Sequence, residues 1–249
     1  NRQLVKPEIL EEHRIELKEG RHLEVESLLE RKGTEYCPVS FLLEPGVTCI
    51  TGANMGGKTV SLKLAGLVAL MTQYGFFVPA SQAKVGLSSY IQMLIGDSQS
   101  LERGLSSFGG EMEELREALD HSQEKTLLLI DEIASGTNPK EGTALSKGLV
   151  SYLMAKPYIC LITTHFDSVA DLPEVVNLQV IGLAQADFER LRRELRYANR
   201  KERIQLIAKH MDYQLRVVKG SGDVPKEAIH IAEILGLYPE IIQEAKNYL

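Results

Sequence analysis

An apolar run, Val47-Thr48-Cys49-Ile50-Thr51, meets a glycine-rich turn, Gly52-Ala53-Asn54-Met55-Gly56-Gly57, which closes on Lys58-Thr59 and a stretch rich in Leu and Ala. The turn fits G-x-x-x-x-G-K-[ST] in the setting that gives the pattern meaning, directly after a strand and before a helix. In that setting the glycines let backbone N–H groups face inward around a phosphate, and the helix N-terminus adds a favourable dipole. The loop and the first helical turn therefore supply candidate ligand residues: Gly52, Asn54, Met55, Gly56, Gly57, Lys58, Thr59 and Val60. Lys58 is placed to reach terminal phosphates, and Thr59 offers a hydroxyl to Mg²⁺.

A phosphate loop of this kind requires a strand–helix architecture, and the rest of the chain supplies one. Further strands are expected at 76–78, 127–130, 159–163 and 179–183, with helices at 58–74, 111–121 and 140–154 between them. Alternation of this type argues for βαβ units and a mostly parallel sheet covered by helices. A strand at 213–218 and two helices follow, the first opened by Pro225 and ended by Gly236, the second starting near Pro239. This tail is free to pack on the same sheet or on another subunit. The fold class expected is α/β, a P-loop NTPase with a C-terminal helical extension.

Two later strand ends carry chemistry. Leu127-Leu128-Leu129-Ile130 runs into Asp131-Glu132, and a buried strand that pushes two carboxylates to its tip points to a site, because burying acids for stability alone is costly. Asp131 would hold Mg²⁺ and Glu132 would polarise an attacking water, which makes the reaction class hydrolytic phosphoryl transfer. His165, after the apolar run at 159–163, can hydrogen-bond a γ-phosphate. Ser106 and Ser107, with Gly109 and Gly110, sit at a helix start and form a second anion site. One chain already has its phosphate place in 52–59, so Ser106 is expected to act in trans on a neighbour's nucleotide, sandwiched between two protomers. No N-K-x-D guanine reader occurs in the chain.

Charge is unevenly spread. Residues 190–209 hold eight basic and two acidic side chains, net +6, which leaves 20 basic against 32 acidic, net −12, elsewhere. Two readings stand for this segment: a solvated helical insertion with Leu191, Leu195 and Ala198 on its inner face, or a contact surface for nucleic acid or an acidic partner. Cys37, Cys49 and Cys160 are odd in number and widely spaced, which suits buried thiols in a reducing, cytoplasmic setting without a disulfide framework. The six histidines show no zinc-ligand spacing, so any metal is expected to arrive with a phosphate ligand. No apolar run approaches the roughly 18 residues of a membrane helix, so no membrane partner is expected. The start at Asn1, without Met or a signal core, reads as a piece of a longer gene product.

Taken together these motifs resemble the C-terminal ATPase domain of the MutS family, the ABC-class ATPases of DNA mismatch repair. Gly20 to Glu26 resembles the family's GRHPxVE, Thr51 to Thr59 its TGPNMGGKS, and Phe77 to Ala80 its FVPA. Ser106 to Met112 is similar to STFMxEM, Asp131 to Thr137 to DExGxGT, and Thr164-His165-Phe166 to the end of ATHF. The resemblance implies ATP and Mg²⁺ as ligands, a homodimer or a heterodimer with a related subunit, Glu132 as catalytic base, Lys58 and His165 in the catalytic set, and Ser106 acting in trans. It also places Tyr36 where an aromatic ring stacks on adenine, against the plainer reading of a half-buried Tyr, and Asp97 and Gln99 where the nucleotide couples to the rest of the molecule, Gln99 on the metal side. Ala53, Thr59-Val60, Gly109-Gly110 and the Asn138 to Gly142 segment depart from the mismatch-reading pattern, the last toward the paralogue that lacks mismatch recognition. Small MutS-like ATPases linked to reactivation of lysine or ornithine aminomutase, which are adenosylcobalamin enzymes, are similar too.

The expected organisation is thus a nucleotide-base region at 1–46, the ATPase core at 47–183, a basic helical insertion at 184–212 and a C-terminal strand with helices at 213–249. Two functions follow as expectations: ATP hydrolysis coupled to conformational change with a DNA repair role, or ATP-driven reactivation of a metabolic enzyme with no DNA role. DNA contact would come through domains beyond this chain or through residues 190–209. A nucleotide-gated adaptor with little turnover is the contrasting non-enzymatic reading.

Overall fold

A computed structural model describes residues 4–52, 57–95, 107–183, 186–195, 198–221 and 227–248. The elements in chain order are β1 (Glu8–Leu10), β2 (Ile15–Gly20), α1 (Leu23–Arg31), β3 (Val39–Leu43), β4 (Gly46–Thr51), α2 (Lys58–Gln73), β5 (Gln82–Gly86), β6 (Tyr90–Ile95), α3 (Ser107–His121), β7 (Thr126–Asp131), α4 (Pro139–Met154), β8 (Ile159–Thr163), β9 (Val176–Gly182), α5 (Phe188–Leu195), α6 (Arg200–His210), β10 (Asp212–Val218), α7 (Glu227–Ile234) and α8 (Pro239–Asn247).

The strands form two sheets. Six of them run in the order β10-β9-β4-β8-β7-β6, parallel except for β10, which pairs antiparallel with β9 at one edge. Buried on both faces, the central strands are continuous apolar runs rather than alternating ones. Alternation nonetheless divides their contacts. Leu127 and Leu129 of β7 point into a core shared with α2, while Leu128 and Ile130 point into a second core with Leu149 and Leu153 of α4.

The smaller sheet, β1-β5-β2-β3, has mixed pairing and was not foreseen in the sequence. Its Ile15, Leu17, Val39, Leu43 and Val85 join Leu62, Leu64, Ala65 and Val68 of α2 in one core. Helix α2 is therefore sandwiched between two sheets, and this burial on both sides explains its Leu- and Ala-rich composition. The helix that carries the phosphate loop is clamped along its length.

Several expectations need correction. Residues 76–78 are not a strand: Val78 alone bridges Val5, and Phe76 and Phe77 are exposed. Aromatic residues there look strand-like in sequence, yet the chain is leaving α2 through Gly75 and turning toward β5. In the basic segment Leu191 and Leu195 do face inward, and Arg190 and Arg193 lie outside, while Ala198 and Arg203 differ from expectation. Leu191, Leu195 and Ile207 are buried in a third core with Leu183, Met211 and Ile234, which ties α5 and α6 to α7. Ala198 lies between α5 and α6 rather than on a helix face. Arg203 turns inward and donates to the carbonyls of Ala198 and Leu235. The tail packs on this same body: β10 extends the large sheet, and Ile234 and Ile242 are buried.

Cys49 and Cys160 are buried and free, and burial pushes both thiols up to about 12; Cys37 is half-buried and free. No helix among the described residues is long and apolar enough to cross a membrane.

Because the basic helices share a core with the body, Leu191→Ala should lower the unfolding free energy of the whole chain by about 2–4 kcal/mol. Urea unfolding checks this through a shifted midpoint at unchanged slope. An independently attached helical arm would leave the main transition in place.

Candidate functional site

The site forms where three parallel strands end at one level. Thr163 on β8 is in register with Ile50 on β4 and with Asp131 on β7. Gly52, the Asp131-Glu132 pair and His165 consequently leave the sheet side by side at its carboxyl edge, the place where open α/β sheets bind ligands.

Each element fixes one part. Gly57 caps α2 in a left-handed conformation (φ 77°), which only glycine adopts without strain, and so turns the loop into the helix. Lys58 follows as the first helical residue. It is 3% exposed, and its ammonium donates to the Gly52 carbonyl at 2.9 Å. Burial lowers the Lys58 pKa, opposed by the carboxylates of Glu132, Asp167 and Asp131. Thr59, next along, donates its hydroxyl to both oxygens of Asp131, at 2.9 and 3.1 Å. A hydroxyl and a carboxylate converging in this way form a hard oxygen pair of the kind Mg²⁺ selects, so the donor set fits that ion.

Thr163 was missed in the sequence and holds the site acids in place. Its side chain is fully buried, donates to Asp131 Oδ1 and accepts from the Glu132 N–H at 3.0 Å. Its carbonyl accepts from the same N–H at 3.1 Å. The signal was available: a threonine closing an apolar strand just before Thr164-His165 is a polar group that must find a partner.

Glu132 itself has φ 53°, a left-handed conformation that costs a non-glycine residue about 1 kcal/mol or more and persists when the surroundings over-determine it. Its Oε1 lies 2.6 Å from His165 Nε2. The Thr164 hydroxyl accepts from the Phe166 N–H, and Phe166 packs so closely on Gly142 of α4 that a Cβ there would lie 2.7 Å from the ring. The segment after His165 is held rigidly. Asp167, also missed, lies in the helical turn that follows; burial raises its pKa, while Lys58 and His165 lower it.

Other expected residues are placed as follows. Val60 lies in the first turn of α2 and, with Thr59, Lys63, His22, Val25 and Leu28, lines a cavity of about 270 Å³. Tyr36 is half-buried, and its hydroxyl accepts from the backbone N–H of His22, tying it to that cavity's wall; burial raises its pKa. Asn54, Met55, Gly56, Asp97, Gln99 and Ser106 lie outside the described residues.

Comparison with known proteins assigns the chain to a family. Residues 48–249 match the family model "MutS domain V". The chain belongs to the MutS domain V family. It is 32% identical to "Endonuclease MutS2" of Acetivibrio thermocellus over 98% of this chain and 28% of that protein. With "DNA mismatch repair protein MutS" of Lactobacillus delbrueckii subsp. bulgaricus it shares 31% identity over 98% of this chain and 26% of that protein. The match to "Endonuclease MutS2" of Thermus thermophilus is 44% identical over 48% of this chain and 16% of that protein. The chain thus spans under a third of the length of these relatives.

Thr163→Val keeps the shape and removes the hydroxyl that joins Asp131 to Glu132. It should cost about 1–3 kcal/mol of stability, since the Asp131 carboxylate loses a buried donor. Urea unfolding beside a Thr163→Ser control, expected to stay within about 1 kcal/mol of the parent, is the check.

Proposed function

We propose that this chain binds and hydrolyses ATP with Mg²⁺ as an ABC-class P-loop module. The observation that carries the reading is the convergence of Lys58, the Thr59–Asp131 pair and the Glu132–His165 pair at one sheet edge. The loop backbone and Lys58 would cradle the phosphates, Thr59 and Asp131 would hold Mg²⁺, and the cation when bound would offset charge on the phosphate oxygens. Glu132 would take a proton from the attacking water. His165 would donate to the γ-phosphate, so its bond to Glu132 must open for both residues to act. Tyr36 and the cavity beside Val60 would receive the base. Gln99 on the metal side and Ser106 acting in trans complete the reading, which sandwiches ATP between two protomers and couples turnover to a conformational change by binding ATP more tightly in the closed dimer.

Phosphate release tests this directly. The wild-type chain should release phosphate in a Mg²⁺-dependent way, Glu132→Gln should cut kcat by about 100-fold or more while retaining ATP, and Lys58→Ala should weaken nucleotide binding roughly tenfold. Wild-type turnover in both variants would sink the proposal; ATP binding without any turnover would favour a nucleotide-gated adaptor.

For the coupled task, the relative named as a DNA mismatch repair protein supports action on mismatched DNA. Contact would run through segments beyond this chain or through the α5–α6 region, where Arg190 and Arg193 are exposed. Gel shifts on a mismatched duplex at two salt concentrations should show weaker binding and a shallower salt dependence for the Arg190→Glu/Arg193→Glu variant. A second reading, reactivation of an adenosylcobalamin-dependent aminomutase, is favoured by the net −12 charge outside residues 190–209, which suits a nucleic-acid surface poorly. Absence of any duplex binding, together with ATP-dependent recovery of an inactivated aminomutase, would select it.

A further inference from the structure

We infer that Glu111, on the second turn of α3, is a positioning residue for Glu132 and acts through the left-handed turn that follows β7. The inference rests on the ATPase reading above and adds to it a residue on another element.

The turn after β7 is unusual. Glu132 and Ala134 both have positive φ, 53° and 59°, and neither is glycine. Two such residues in three cost about 2 kcal/mol or more unless neighbouring groups hold them. Holding groups come from three sides. From β8, Thr163 receives the Glu132 N–H through both its carbonyl and its hydroxyl. From α4, Gly142 lets the backbone approach so closely that a Cβ there would lie 3.0 Å from the Ala134 carbonyl oxygen. From α3, Glu111 Oε2 accepts the Ala134 N–H at 3.3 Å.

The third contact is a carboxylate used on backbone. Glu113, two residues along, lies at the surface and pairs with Arg116 at 2.7 Å, as an ordinary helical acid does. Glu111 instead turns inward and lines a crevice with Leu94, Ile130 and Ile133, which the carboxylates of Glu114 and Asp131 also border. Burial raises its pKa, and the Ala134 N–H works against that rise. A half-buried acid beside other carboxylates costs stability unless its acceptor is used. Ala134 is fully buried, so without Glu111 its N–H would be an orphan. The turn would then relax toward a conformation in which that N–H finds another partner. Glu132 shares the turn, since its own carbonyl accepts from the Ser135 N–H at 3.3 Å, and would move with it.

Steady-state ATP hydrolysis by the full chain tests the inference, with circular dichroism and thermal melting to verify folding. Glu111→Ala should lower kcat by about 10–100-fold, the scale of a small misplacement of a reacting group, with KM unchanged within twofold. Glu111→Gln retains an acceptor oxygen and should recover most of the lost rate. On a Glu132→Gln background, Glu111→Ala should bring no further loss, because both changes act through one carboxylate. If the alanine variant does not fold, Glu111→Met fills the crevice without an acceptor and carries the same expectation. Unchanged kcat in the alanine or methionine variant, a Gln variant as slow as the Ala variant, or losses that multiply on the Glu132→Gln background would each overturn the inference. A wild-type chain that releases no phosphate would overturn the ATPase reading itself, and this inference with it.

Discussion

The shared register of β4, β8 and β7 is the constraint on which the rest of the molecule depends. Parallel strands 4.8 Å or so apart, ending at one level, can present side chains from three distant stretches of sequence within hydrogen-bond reach. Thr163 pairs across to Ile50 on one side and to Asp131 on the other, so a slip of one residue in either ladder would separate Thr59 from Asp131. It would also turn the apolar sets of β7 from one core to the other, since alternate residues serve opposite faces. Hydrophobic patterning and site geometry are therefore linked: the facing that sends Leu127 and Leu129 to one core and Leu128 and Ile130 to the other is kept in the register that places Asp131 beside Thr163 and is lost on a one-residue slip.

What was legible in the sequence follows from this coupling. The strands that end at Thr51, Asp131 and Thr163 were readable because each is an apolar run, and they follow one another in the order a parallel sheet demands. Strand β5 and most of the small sheet were not readable, since Gln82 to Gly86 and Ile15 to Gly20 alternate with charged residues and owe their pairing to α2 lying beneath them. Residues 76–78 failed for the converse reason: two aromatic residues suggested a strand, but the chain there is rounding the end of α2. Thr163 and Asp167 were overlooked because their roles come from neighbours across the sheet, which local pattern cannot reveal.

The basic segment shows how a strongly charged stretch can still close a core. Among eight basic residues in twenty, Leu191 and Leu195 were expected on the inner face and join Ile207 in a core, and the Arg203 guanidinium donates to the Leu235 carbonyl just after α7. Arg190 is paired with Glu194, which also bonds His210. Part of the local charge is thus spent on joining α5, α6 and α7. The net +6 of the segment persists against an acidic body.

Electrostatics around Lys58 bear on the divalent cation proposed for this site. One buried ammonium faces the carboxylates of Glu132, Asp167 and Asp131, and burial already lowers the Lys58 pKa. A triphosphate brought to that edge meets more negative than positive side-chain charge. Backbone N–H groups and the N-terminal dipole of α2 offset part of this, and Thr59 with Asp131 provides the oxygen pair at which a small, hard cation would offset more. The acids that make the site chemically capable also make it repel its proposed ligand. The metal dependence proposed for this site would then follow from the charge arrangement around Lys58 rather than be a separate property added to the fold.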